Sequence, residues 1–249
     1  MRAEAEPQRY FFMHIPKTAG MTLYHRLIRH HGDALYPLPP DRGNPEAAID
    51  LDHLRACFRA NAAQIRIIVG HFPLCLDELL GVQLTTFTLL RHPVERTLSF
   101  LRQRQQLDTR YGGASLEEIY ADPYLLHGLI HNYMVKALTL TVAEARPDVR
   151  TMVPYDDSRL ERAKHNLEHR IAIFGVQEDF DDFCRRMSQR FDWDLGEPAV
   201  QANRTEPVEV ADEFRERVAH DNAHDVELYD FATGLLDRRH RTGTPSARR

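Results

Sequence analysis

Lysine is almost missing from this chain of 249 residues: of its 32 basic side chains only Lys17, Lys136 and Lys164 are lysine, and the other 29 are arginine. Set against 37 acids they leave a formal charge of -5, which excludes a generic nucleic-acid or membrane-surface binder held by bulk charge, although a local arginine cluster stays open. Cysteine is scarce as well. Cys57, Cys75 and Cys184 are widely spaced and form no CxxC pair, so neither a disulfide framework nor a zinc site is indicated. No run approaches the ~20 apolar residues of a membrane span, and the acidic N-terminal stretch has no apolar segment of the secretory kind. Internal repeats and composition breaks are missing too, so one domain is expected over residues 9–237. What is present, 43% hydrophobic and 28% charged residues, suffices to bury a substantial core and excludes disordered and fibrous classes.

Three short apolar runs organise the first half. Tyr10 to Ile15, closed by Pro16, has the length and terminator of a buried strand, and from Thr22 the spacing of Leu23, Leu27 and Ile28 is helical. Gln64 to Val69 is a second strand, ending in Gly70-His71-Phe72-Pro73, and Thr85 to Leu90 a third, ending in Arg91-His92-Pro93. Between them the proline-rich stretch Tyr36 to Asn44 reads as a loop before a helix over roughly 50–63. Further on, helical patterns cover about 116–140 and 158–168, Ile171 to Val176 is a fourth strand, and a helix runs from Phe180 to Phe191. A long loop over 192–210 then precedes a last helix over about 211–236, and the Arg-rich tail 238–249 is expected to be disordered. Strands alternating with helices predict an α/β fold, a central, mostly parallel sheet with helices on both faces. Such sheets bind ligands outside the carboxyl ends of their strands.

Two of those strand ends carry the chemistry. His14-Ile15-Pro16-Lys17-Thr18-Ala19-Gly20-Met21-Thr22 is a small-residue loop between a strand and a helix. It is not a Walker A loop, because Lys17-Thr18 precedes the glycine. Its physics is similar: backbone amides and the helix dipole favour a phosphate, and Lys17 adds a mobile cation. The competing reading is an ordinary loop with Thr18 as N-cap. In the second stretch Arg91 ends a strand, and Ser99 follows eight residues on, about two helical turns if a helix begins near Val94. A bidentate cation and a hydroxyl suit a second phosphate. Glu95 and Arg96 are expected in surface or structural ion pairs.

In this order, both after strands, the two stretches resemble the sulfotransferases that use 3'-phosphoadenosine-5'-phosphosulfate (PAPS), most closely the carbohydrate O-sulfotransferase branch with the heparan sulfate 2-O- and 6-O-sulfotransferases. The resemblance implies a P-loop-like sulfotransferase fold. It implies that Lys17, Thr18, Ala19, Gly20, Met21 and Thr22 hold the 5'-phosphosulfate and that Arg91 and Ser99 hold the 3'-phosphate, with His92 in place of the family's usual Asp. Weaker likenesses are Leu129 to Met134, similar to an Asn-centred helix of the family, Phe174 to Phe180, similar to its late strand-to-helix turn, and Asn203-Arg204-Thr205, similar to a loop that closes over the nucleotide. Asn203 and Arg204 are carried over on that last likeness, for which a plain turn is a rival explanation.

Transfer to an alcohol also needs a base, and histidine suits neutral pH. Of 14 histidines, His71 matches the catalytic histidine of the 2-O-sulfotransferase branch, with a loop-capping role as its alternative. His14, expected to pack along the first strand, and His92 remain open as bases. His30, His31, His220, His224 and His240 read as solvated. The family needs no metal, since Lys17 and backbone amides balance the leaving phosphate; PAPS is the co-substrate and PAP, 3',5'-ADP, the product. The expected acceptor is a hydroxyl on a saccharide or glycoconjugate, with no nucleic-acid partner and with oligomeric state open. The rivals are an ATP-dependent, P-loop kinase-like phosphotransferase and a non-catalytic nucleotide-binding protein on the same fold. Eukaryotic relatives are membrane-anchored Golgi proteins, so a cytoplasmic, bacterial enzyme is expected unless the chain given is trimmed. Among the three lysines, Lys17→Arg is expected to abolish turnover and Lys136→Arg or Lys164→Arg to be mild.

Overall fold

Five strands form one sheet in which every pairing is parallel: β1 (Tyr10–Met13), β2 (Leu35–Tyr36), β3 (Ile67–Gly70), β4 (Thr85–Leu90) and β5 (Ile171–Val176), in the spatial order β2-β3-β1-β4-β5. The computed structural model describes residues 7–39, 41–42, 44, 46–196 and 210–242. Helices run in the order α1 (Gly20–His31), α2 (Leu51–Asn61), α3 (Leu76–Leu80), α4 (Pro93–Leu107), α5 (Leu116–Tyr120), α6 (Pro123–Leu125), α7 (Tyr133–Thr139), α8 (Val142–Ala145), α9 (Asp157–His169), α10 (Phe180–Phe191), α11 (Asp212–Asp221) and α12 (Ala223–Thr242). Among the described residues no helix is long and apolar enough to cross a membrane.

The sheet is covered on both faces because its strands are apolar on both. Along β1 the side chains alternate: Phe11 and Met13 join a core with residues of α2, α7, α9 and α12, while Phe12 joins another with α1, α10 and Trp193. Strand β1 lies between β3 and β4, so the chain crosses from one side of β1 to the other between those two strands. The carboxyl ends of β1 and β4 therefore flank the point at which strand order reverses, the place where open α/β sheets hold ligands. The Thr88 hydroxyl donates to Met13 O at 2.7 Å and ties the two strands together at that edge.

Three of the expected element readings need correction. The 36–44 stretch is not all loop, since Leu35–Tyr36 adds an edge strand to β3. The pattern over 116–140 is not one helix: Asp122 caps a new start at Pro123, residues Leu126–Ile130 form a π-helix, and Asn132 turns left-handed at φ 45° before α7. Proline lacks the amide a continuing helix needs, which explains the first break. The last helix is also divided, at Asn222 between α11 and α12, and α12 continues to Thr242, so residues 238–242 of the expected tail are helical.

A buried polar frame explains both remaining breaks. Asn132 N–H donates to Asn222 Oδ1 at 2.9 Å, Asp225 N–H donates to Asn132 Oδ1 at 3.0 Å, and the Asp225 carboxylate accepts the first amides of α7 from Met134 (3.0 Å) and Val135 (2.8 Å). Burial pushes the Asp225 carboxyl up to about 6, with Arg96 opposing. The π-helix leaves carbonyls to be satisfied elsewhere. Arg96, fully buried rather than surface-paired, donates to Leu129 O and Ile130 O, whereas Glu95 makes the expected ion pair, with Arg215.

Lys136 completes this frame, and the structure argues that its replacement by arginine costs stability rather than being mild. Its ammonium, on a residue only 1% exposed, donates to Gly128 O (2.5 Å), Thr151 O (3.4 Å) and His127 O (3.5 Å). A compact ammonium fits that cage and a planar guanidinium does not. Lys136→Arg is therefore expected to cost about 1–3 kcal/mol of stability through strained or unpaired buried carbonyls. Lys164→Arg, at the surface with Glu161 and Glu227, should stay within about 0.5 kcal/mol. Chemical denaturation of both variants checks this, and equal midpoints would contradict the cage.

Candidate active site

The loop between β1 and α1 is shaped by its own backbone. Lys17 and Ala19 hold positive φ of 71° and 64°, a conformation L-residues adopt at a cost of order 1 kcal/mol, and such turns direct amides into a concavity. The Thr18 hydroxyl donates to Ile15 O at 2.8 Å and is fully buried, so it braces the loop and is not the helix N-cap. That position falls to Ala19. Among the described residues no side chain caps α1, and no acidic residue stands in its first turn, so that turn offers the positive end of the dipole no counter-charge of its own. Met21 is exposed and Thr22 half-buried on the first turn, where the Thr22 amide donates to Ala19 O at 3.1 Å.

Two histidines are locked to this loop. His71, just beyond β3, donates its Nδ1–H to His14 O at 2.5 Å, and its own amide donates to Ala48 O at 2.7 Å. A carbonyl only accepts, so the neutral ring carries its proton on Nδ1 and presents a lone pair on Nε2. Burial lowers the His71 imidazole below its ordinary 6.5, partly offset by that hydrogen bond. His14 packs as expected, stacked on Phe12 with ring centroids 5.3 Å apart and 4.5 Å from the His71 ring. Burial, then the His71 and Lys17 charges, holds it neutral well below 6.5. The His14 ring lies against Gly20, where a Cβ would fall 1.9 Å from Nε2, so glycine at the start of α1 is a packing requirement. His92 points elsewhere, with its ring 5.5 Å from Tyr229.

Arg91, one residue past β4, reaches across and donates to Lys17 O at 3.1 Å. Lys17 has no carboxylate partner among the described residues. Its ammonium is lowered by burial and then by the nearby charges of Arg91 and Arg104. Arg91 is itself lowered, chiefly by burial, and feels Glu95 and Glu178 as well as Arg102. Glu95, Ser99 and Arg102 stand at i, i+4 and i+7 on α4 and share one stripe, so Ser99 sits between two residues whose charges Arg91 senses, although no hydrogen bond joins Ser99 to Arg91. Asn203 and Arg204 lie outside the described residues.

The structure thus brings His71, Lys17, the 18–22 segment and Arg91 to one edge of the sheet. Sequence reasoning missed the His14–Gly20 contact and the polar frame of Lys136, Asn132, Asn222 and Asp225. For Lys136 a signal existed, since it is one of three lysines kept in an arginine-rich chain. No protein-family model matches this chain, and no curated protein matches it.

Proposed function

We propose that this protein is an O-sulfotransferase that moves the sulfuryl group of PAPS to a hydroxyl, with a saccharide or glycoconjugate as acceptor. The observation that carries the reading is the set of groups around one loop. Arg91 grips Lys17 O, His71 grips His14 O, and the loop leads into an uncapped helix start beside a lysine without a carboxylate partner among the described residues. An anion of high charge density fits there: amides and the dipole of α1 would hold the 5'-phosphate, and Arg91 with the Ser99 stripe would hold the 3'-phosphate.

His71 Nε2 takes the acceptor proton as the acceptor oxygen bonds to sulfur. The bond between sulfur and the bridging phosphate oxygen breaks, and Lys17 stabilises the charge that grows on that oxygen, a gain realised mostly in the transition state. His14 is a positioning residue, since its carbonyl fixes the His71 tautomer. Thermal melting with 3',5'-ADP against ATP and magnesium, followed by labelled-sulfate transfer into glycans, tests the reading. A raised midpoint with 3',5'-ADP together with transfer is expected; stabilisation by ATP and magnesium alone would select phosphotransfer, and binding without transfer a non-catalytic role.

A further inference from the structure

A second concavity, about 500 Å³, opens between the π-helix, the 152–155 segment and the junction of α11 with α12. Its size lies within the range of small-molecule sites. Four imidazoles line it, His127 and His131 from one wall and His220 and His224 from the other; His220 is solvated at the rim as expected, whereas His224 is half-buried rather than solvated. His131 stands edge to face with Tyr155, ring centroids 4.9 Å apart, and 6.2 Å from His127. The Tyr155 hydroxyl is buried without a hydrogen-bond partner, which leaves its ring as the part that lines the cleft. Met152, Val153, Pro154 and Ala223 supply apolar surface.

The charge on this lining selects the ligand. Among the described residues no arginine or lysine lines the cleft, so these residues do not supply what a phosphate or sulfate needs. Its one acid, Asp221, accepts from the Tyr120 hydroxyl at 2.9 Å and is balanced by Arg217 at 3.8 Å. Burial, with His127, His224 and Lys136 adding to it and Asp221 opposing, lowers His131 below 6.5 and keeps it neutral at pH 7. Among the described residues no three His, Cys, Asp or Glu side chains are placed to hold a metal ion. What remains is His131, a donor and an acceptor in one ring, with three further imidazoles beside aromatic and aliphatic faces. A pyranose has the matching pattern of hydroxyl edge and C–H face.

We propose that this cleft binds a neutral sugar ring. Its floor includes Asn132, and the next residue, Tyr133, lines the crevice beside His71, so cleft and base share a wall. If the transfer reading holds, the ring bound here is a unit of the acceptor next to the one that His71 serves; this link alone rests on that reading.

The test is NMR of the histidine ring resonances of the full chain, titrated with methyl glucoside, methyl N-acetylglucosaminide and the anionic methyl glucuronide. A neutral glycoside is expected to move the His131 signal with a Kd of about 1–10 mM. Tyr155→Phe should keep binding, because the hydroxyl is turned inward. His131→Ala should weaken it about tenfold or more, and Ala223→Arg, which fills the cleft from an exposed position and leaves the core alone, should abolish it. No shift by either neutral glycoside at about 50 mM, or binding of the glucuronide alone, would overturn the proposal. Binding of 3',5'-ADP to the same samples reports separately on the Lys17 loop.

Discussion

Alanine in place of His71 is expected to lower sulfuryl transfer by on the order of 10²-fold or more while leaving the affinity for 3',5'-ADP near its starting value. The asymmetry follows from geometry. His71 is anchored through Nδ1 to the backbone of His14, so what the truncation removes is the Nε2 lone pair and not a phosphate contact. The loss should lie in kcat more than in KM. Because burial holds the His71 imidazole below 6.5, the wild-type rate should be flat at neutral pH and fall as the pH drops through that lowered value; in His71→Ala this limb should vanish. Stability moves in the same direction. An unfolded chain binds protons on His14 and His71 from about 6.5 downward, while the fold keeps both neutral further down, so acidification below 6.5 costs stability until the folded values are reached. Steady-state kinetics over pH with PAPS and a working acceptor decides the matter, and near-native turnover of His71→Ala removes the base assignment.

The second large effect is expected at Lys17→Arg, which keeps the charge and should still lose on the order of 10²-fold in turnover. Lys17 occupies a left-handed backbone position, its carbonyl is held by Arg91, and its ammonium is half-withdrawn from solvent beside Arg91 and Arg104. A guanidinium is broader and planar, so it would sit against those two arginines without delivering a single compact donor to the leaving oxygen. Binding of 3',5'-ADP, which depends on total charge and on the amides of α1, should fall by much less. Equal losses in binding and in rate would mean that Lys17 serves as a general anion anchor rather than at the leaving oxygen.

How far the fold was readable depends on what each element rests on. Strands β4 and β5 and helix α10 match their sequence bounds to the residue, because each is an apolar run or helical repeat closed by local punctuation. The division of 116–140 was readable only at Pro123. The left-handed turn at Asn132 answers to Asn222, 90 residues away, and nothing near Asn132 announces it. The same distinction holds at the site. His71, Lys17 and Arg91 stand at strand ends, and parallel strands bring their carboxyl ends to one edge, so their meeting follows from pattern. The partners of Lys136 are backbone carbonyls, which carry no residue identity and leave no mark in a sequence.

The close approach of Gly20 to His14 ties three positions into one hereditary unit. Residue 20 can carry no side chain while residue 14 is an imidazole, and that imidazole packs against the ring of His71, centroids 4.5 Å apart. A lineage could enlarge residue 20 only after shrinking residue 14, and such a change would loosen the support of residue 71 in the same step. Drift at these positions should therefore be concerted, with the glycine, the first histidine and the second histidine kept together or lost together.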